Sequence, residues 1–292
     1  MISMNAQFED DMESYTDGSP ISGAHWTDWG CGGGAGCAIM SSSAQAHSGQ
    51  LSGLVPDDGT TDAVLDLGNK IFDIWGLEFF MYVPSGNQGY FNLQGTVPIG
   101  SGEWITGNFT FADGGAGQID DSALGVVDFT FPQDQWFRIV MNWDIANGIG
   151  LSTWEMSVDN AIVIPAGTAF TKADGTYPTS LGGFDFFSDA AGLHTAYYDD
   201  FSYQPNFIPA ILSVQDLEAK GFDAYKDRNN ILNLKANENI NNVAIYNMLG
   251  QVVYNANVNA TQSTVDMSSF ANGTYIVKVN VNGTEGSIKV IR

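Results

Sequence analysis

Lys and Arg are scarce in this chain: 10 in 292 residues, against 33 Asp and Glu, for a formal net charge of −23. The shortage is local. Residues 1–208 hold only Lys70, Arg138 and Lys172 against 26 acidic residues (3 − 26 = −23), whereas residues 209–292 hold seven of each sign. A surface without Lys and Arg cannot neutralise phosphates, which excludes nucleic acid and anionic membrane as partners of the first segment. Such a surface suits a cation such as Ca²⁺, or serves solubility alone. No run of 18 apolar residues occurs, so no segment is long enough for a membrane-spanning helix.

Cysteine is nearly absent too. Cys31 and Cys37 flank a five-residue stretch in which four residues are Gly, a loop free to fold back and bring the sulfurs together. In an exported chain this predicts a disulfide. Cys-x₅-Cys is not zinc spacing. The three histidines, His25, His47 and His194, are scattered and read as loop or surface residues. No Gly-x-Ser-x-Gly occurs, and the Gly-rich stretches near 30–36 and 113–117 lack the Lys-Ser/Thr of a phosphate loop.

Helix signals are also missing. Apolar residues alternate, or come in short aromatic and β-branched runs bounded by Gly, Asp, Asn and Pro. Strands are expected near 8–14, 47–54, 63–67, 76–83, 88–94, 104–111, 125–131, 135–143, 152–158, 160–164, 182–188 and 196–203. Hairpin turns are expected at Ser85-Gly86-Asn87, Asp113-Gly114-Gly115 and Asp159-Asn160. This is an all-β chain. Its first part reads as an antiparallel jelly-roll sandwich.

The charge break, and the confinement of all seven Trp to positions before 155, predict two domains: residues 7–206 and 213–292, joined by a linker at 207–212. The start, Met-Ile-Ser-Met-Asn-Ala-Gln, is similar to the tail of a signal peptide, with residues 1–6 as the expected remnant.

In Gln135–Asp144, Trp136, Arg138, Val140 and Asn142 share one face and Phe137, Ile139, Met141 and Trp143 the other. With the following Trp154–Asn160 segment, this resembles the hairpin of laminin-G-like and concanavalin-A-like jelly rolls. The segments Ile231–Leu234, Val243–Tyr254, Val265–Ser268, Gly273–Val279 and Lys289–Arg292 have the order and spacing of the type A C-terminal sorting domain of the Bacteroidetes type IX secretion system. That resemblance covers residues 213–292 and predicts a small immunoglobulin-like sandwich. It implies passage through the periplasm to the cell surface or the medium. The translocon and an outer-membrane shuttle protein would be the partners, with Gly273, Tyr275, Lys289 and Arg292 in the signal.

Three sites are expected in the first domain. Glu9, Asp11 and Glu13 form the Glu-x-Asp-x-Glu pattern of a concanavalin-like glycosidase family. On one strand they would share a face, with Glu9 and Glu13 about 13 Å apart along the backbone, within reach of two-carboxylate glycoside hydrolysis once the side chains lean inward. Asp10, Asp11, Asp199 and Asp200 would gather if the first and last strands pair, and could then hold Ca²⁺. Trp26 and Trp29, in the Gly-rich loop, are the candidates for stacking on sugar rings. The resulting expectation is a non-catalytic surface or secreted protein, an adhesin or glycan-binding module directed at a polysaccharide or cell-surface glycan. The alternative is a polysaccharide-degrading glycoside hydrolase on the same fold, favoured by an open groove lined by Trp with an inward carboxylate pair.

Overall fold

A computed structural model describes residues 8–31, 36–98, 104–188, 193–209, 220–247, 251–282 and 284–292. The chain divides into two compact units, Met1–Ala210 and Ile211–Arg292. Each has its own apolar core.

The first unit runs β1 (Phe8–Asp10), β2 (Trp26–Asp28), β3 (Met40–Ser42), β4 (Ser52–Val55), β5 (Asp62–Lys70), β6 (Ile74–Tyr82), β7 (Gly89–Gln94), β8 (Trp104–Ala112), β9 (Ala116–Ile119), β10 (Val127–Thr130), β11 (Trp136–Asp144), β12 (Thr153–Val158), β13 (Ala161–Ala169), β14 (Leu181–Phe187) and β15 (Ala196–Gln204). They form two antiparallel sheets. One has the order β13-β12-β11-β6-β15-β4-β3, with β1 also on β15; the other has the order β10-β9-β8-β7-β14-β5-β2. This is the expected jelly-roll sandwich. Alternation decides what lies between the sheets. Phe137, Ile139, Met141 and Trp143 of β11 enter the core with Phe79, Phe91, Phe109, Phe184 and Phe186. Phe79 sits at its centre, within 5.2–6.3 Å of the rings of Phe91, Phe184, Phe186, Tyr198 and Phe201.

The turn chemistry holds at two of the three expected hairpins. Asp159 and Asn160 take φ 46° and 63°, the paired positive values of a tight hairpin turn, between β12 and β13. Gly114 and Gly115, both at positive φ, link β8 to β9. The segment Ser85–Asn87 differs: it carries the chain from β6 in one sheet to β7 in the other. Ser85 and Gly86 donate to Asp134 and Asp113 from outside the segment, so the turn is held by other loops and not by a flanking strand pair.

The other face of β11 explains a further departure. Arg138 and Asn142 point away from the core yet are 5 % and 1 % exposed. The chain after β15 covers them. Asn142 exchanges hydrogen bonds with the backbone of Ile208, and Arg138 donates to Pro209 O and pairs with Glu78 at 2.7 Å. Gly76 leaves room for this strap, since a Cβ there would meet Asn206 O at 2.5 Å. The first three residues of the expected linker, 207–209, are therefore part of the first unit. Strands β2, β3 and β9, each only three or four residues long, fall outside the expected strands.

The second unit contains β16 (Asp223–Lys226), β17 (Ile231–Asn247), β18 (Val252–Asp266), β19 (Thr274–Val281) and β20 (Thr284–Ile291). They form an antiparallel sheet of order β16-β17-β19-β20, with β18 also on β17. The long β17 pairs with β16 through its first half and with β19 through its second, with register shifts between Lys235 and Asn242 marking the change. Leu232, Leu234, Ile240, Val243 and Ile245 of β17 form its core with Val277, Val279 and Val281 of β19.

Candidate functional site

A cavity of about 480 Å³ opens on the outer face of the seven-stranded sheet. Its floor follows from alternation on four adjacent strands. Ala63 and Leu65 of β5, Phe91 and Leu93 of β7, Phe109 and Phe111 of β8, and Phe184 and Phe186 of β14 all point into the core. Their neighbours Asp62, Tyr90, Asn92, Asn108, Thr110, Asp185 and Phe187 therefore share the outer face and line the cavity. Trp29 and His194 complete the lining from loops. Trp29 is docked by its backbone N–H on Asp62 O at 3.0 Å, and Cys37 O accepts from Asp62 N at the same distance. The Cys31–Cys37 disulfide is formed, two residues beyond Trp29. His194 is placed by the pairing of its segment with Gln88.

Polar groups on the floor form one chain. Asn92 Nδ2 donates to Asp185 Oδ2 at 2.8 Å and to the Tyr90 hydroxyl at 3.0 Å. Tyr90 donates to Asn108 Oδ1 at 2.5 Å, and Asn108 Nδ2 donates to Asp120 at 2.6 Å. Gln94 donates to Asn92 Oδ1. Burial pushes the Tyr90 phenol up to about 12, so it stays a neutral donor.

Asp62 and Asp185 lie diagonally across β5 and β14, in a register that pairs Asp62 with Phe187 and Asp185 with Val64. Asp185 is 2 % exposed. Burial, then the charge of Asp62, pushes its carboxyl up to about 8. Burial also raises Asp62, as does the charge of Asp28. A carboxyl pushed up to about 8 keeps its proton at neutral pH, so the neighbouring pair carries less than two full charges there. Asp62 Oδ1 and Asp185 Oδ1 have no protein donor.

A raised folded value means a stabilising contribution that is complete below the ordinary carboxyl range and lost as pH rises towards 8. Asp185→Asn keeps an acceptor for Asn92 and gains a donor for Asp62. We expect it to stabilise the first unit at pH 8 by more than about 1.4 kcal/mol, the worth of one pKa unit, with the gain shrinking towards pH 4. Thermal melts across that range check this. A variant less stable than the parent at pH 8 would show that the pair carries no such penalty.

The residues singled out in the sequence are placed elsewhere, with one exception. Trp29 lines the cavity, but Trp26 is 4 % exposed and its indole N–H donates to Asp10 at 2.9 Å. Strand β1 stops at Asp10, and Met12 turns the chain with φ 60°, so Glu9, Asp11 and Glu13 do not line one strand face. Glu13 instead accepts the backbone N–H groups of Gln50 and Leu51, both at 2.7 Å. A second hollow beside it, of about 690 Å³, is lined by Glu13 and Asp17. Their carboxylates are already engaged, Asp17 by Ser43.

The first and last strands do pair, with Asp10 opposite Phe201. The four aspartates nevertheless do not fit a calcium ion as one set. Asp10 accepts from Met12 N, Tyr15, His25 and Trp26. Asp199 accepts from His47 N and Ser48 N, while Asp200 binds the His47 ring and the Ser48 hydroxyl. Among the described residues no three His, Cys, Asp or Glu side chains come together as a metal-binding group.

In the second unit the last residue closes the fold. Arg292 exchanges backbone hydrogen bonds with Gly273, and its guanidinium donates to Met267 O, Ser268 O and Asn272 Oδ1. The Tyr275 hydroxyl donates to Ala271 O at 2.8 Å, while Lys289 is exposed.

No curated protein matches the chain. Among solved structures it is similar to the botulinum neurotoxin serotype G binding domain, at 9% identity and TM-score 0.39, covering 89% of this chain and 73% of that one. It is similar to a prokaryotic β-1,3-1,4-glucanase (lichenase) derived from a mouse hindgut metagenome, at 13% identity and TM-score 0.38, covering 68% and 99%. It is also similar to a xylan-binding domain from Paenibacillus barcinonensis, at 9% identity and TM-score 0.34, covering 68% and 94%. No helix of the described residues is long and apolar enough to cross a membrane. Residues 228–292 match the family model of the secretion system C-terminal sorting domain, and this tail marks the chain for export by the type IX system to the medium or the cell surface.

Proposed function

We propose that the first unit is a non-catalytic glycan-binding domain of an exported protein, and that the cavity on the seven-stranded sheet is its binding site. The observation that carries this is the lining. Trp29, Tyr90 and Phe187 supply aromatic surface, while Asn92, Asn108 and Thr110 supply hydrogen-bonding groups on the rigid strands between. Sugar rings have an apolar face and a polar rim, and such sites bind through both. The second unit serves delivery, and the type IX translocon and its outer-membrane shuttle protein are the partners that read it.

A groove holding Trp and two inward carboxyl groups also suits a glycoside hydrolase, but the spacing argues otherwise. Hydrolysis needs the carboxyl groups roughly 5–5.5 or 6.5–9.5 Å apart, on either side of the scissile bond. Asp62 and Asp185 stand side by side on adjacent strands of one floor and do not face one another across the cavity.

A glycan array probed with the full chain tests the reading. Tyr90→Ala, which removes both wall area and the hydroxyl bonded to Asn108, is expected to weaken any glycan hit by ten-fold or more. Trp136→Ala, on the other sheet, is expected to leave the hit unchanged. Binding insensitive to Tyr90→Ala, or release of reducing sugar from the bound glycan, would overturn the proposal.

A further inference from the structure

We propose that the cavity selects a glycan bearing free amino groups, with an ammonium group seated against the carboxyl groups of Asp62 and Asp185. This rests on the glycan-binding reading of the same cavity and names its ligand class. The pair is built for a positive guest. Asp185 is 2 % exposed, and one oxygen of each carboxyl has no protein donor. Asp28 adds its negative charge beside Asp62, and Asp120 adds its own beside Tyr90.

No Lys or Arg lines the cavity. Arg138 is engaged by Glu78, and Lys70 lies over the Trp75 ring at 4.6 Å. Lys172 sits in a loop whose backbone bonds to Thr176 and Gly175. Among the described residues the facing titratable groups are Asp28, Asp62, Asp120, Asp185, Tyr90 and His194.

The walls agree with the floor. Trp29, Tyr90 and Phe187 present π-faces or edges around the pair, and aromatic rings attract ammonium groups once water is displaced. The charge of −23 on residues 1–208 draws cationic polymers and repels uronic or sulfated ones. A neutral sugar can offer the carboxyl groups hydroxyl hydrogen bonds but no charge to balance theirs. A divalent cation would need six to eight oxygens, and the described residues provide no group of three acidic or His ligands. A lysine side chain would satisfy the charge but make no use of Asn92, Asn108 and Thr110, whose polar groups match the hydroxyls of a ring.

Isothermal titration of the full chain at pH 7 tests this, using a glucosamine tetramer, its fully N-acetylated counterpart and a galacturonic acid tetramer. The glucosamine tetramer is expected to bind at least ten-fold tighter than the acetylated one, and the galacturonate not at all. Asp185, pushed up to about 8, holds a proton at pH 7 that an ammonium guest displaces, so the enthalpy should vary with the ionisation heat of the buffer. Asp62→Asn and Asp185→Asn should each bring the ten-fold preference close to one. Equal or tighter binding of the acetylated tetramer would overturn the amino-sugar inference while leaving a glycan site at the cavity. Tighter binding of a lysine tetrapeptide than of the glucosamine tetramer would overturn it in favour of a cationic peptide. If none of these ligands binds, the inference fails; array hits sensitive to Tyr90→Ala would then still support the site, and their absence would remove it as well.

Discussion

A chain ending at Ala210 is expected to fold its first unit and to stay inside the cell, whereas the full chain reaches the surface or the medium. The two outcomes have separate physical origins. Every described residue of the aromatic core of the first unit lies before 210, and its last segment is held at Ile208 and Pro209 by Asn142 and Arg138 of its own sheet. The truncated protein should therefore show near-UV circular dichroism and a cooperative melt like those of an intact sandwich. Export, in contrast, depends on the sorting tail within residues 211–292. A smaller cut should block export as completely. Removing residues 286–292 deletes most of β20 and the Arg292 bonds to Met267, Ser268 and Asn272, leaving β19 as an unpaired edge. Fractionation with antibody to the first unit distinguishes the cases. Truncated protein found at the surface in normal amount would contradict the role of the tail.

The second large effect is expected at Asp10. Asp10→Ala should destabilise the first unit by about 3–5 kcal/mol, the usual result of removing one side of a buried charged network. For a domain of this size that lowers the melting point by roughly 6–20 °C. Burial alone would raise the Asp10 carboxyl. The donors His25, Trp26, Tyr15 and Met12 N outweigh it and hold the carboxyl below the usual carboxylate range. The substitution strands the Trp26 indole N–H and the Met12 amide in a buried setting and loosens the pairing of β1 with β15.

The pH dependence has a definite sign. A depressed value gives stability that is present above the ordinary Asp range, about pH 4, and is lost as pH falls through the folded value. The parent should lose stability between about pH 4 and 2, and Asp10→Ala should lose less over that range. Because protein donors already occupy Asp10, Asp199 and Asp200, chelator should move the melting point no more than a change of sodium at equal ionic strength. An Asp10→Ala variant as stable as the parent would show that the network is a surface feature and not the lock between the first and last strands.

Much of this architecture is legible in the residues. Phe137, Ile139, Met141 and Trp143 alternate with polar neighbours, and alternation alone puts them in the core. The Asp159-Asn160 turn and the Gly114-Gly115 turn each carry the positive φ that their residue types predict. The sorting tail is read from motif order, and the charge break separates two units. The cavity is not legible in the sequence, for a topological reason. Asn92 and Asp185 are 93 residues apart, and nothing local says that β14 lies between β5 and β7. A trace of it is there: Asp185 stands between Phe184 and Phe186, and Asn92 between Phe91 and Leu93, polar groups on the outward side of strands buried on both faces. By contrast, Glu9, Asp11 and Glu13 looked aligned only on the assumption that the strand continued. The positive φ at Met12 ends it, and no propensity of Met signals that.

The most direct test is a crystal structure of the full chain with the glycan that binds best in the array. The account predicts a sugar ring against Trp29, Tyr90 and Phe187 on the seven-stranded sheet, with a polar substituent at Asp62 and Asp185. A sugar seated instead on the other sheet, for example along Trp136, Tyr82 and Tyr197, whose rings lie 5.6 and 6.0 Å apart in succession, would contradict it.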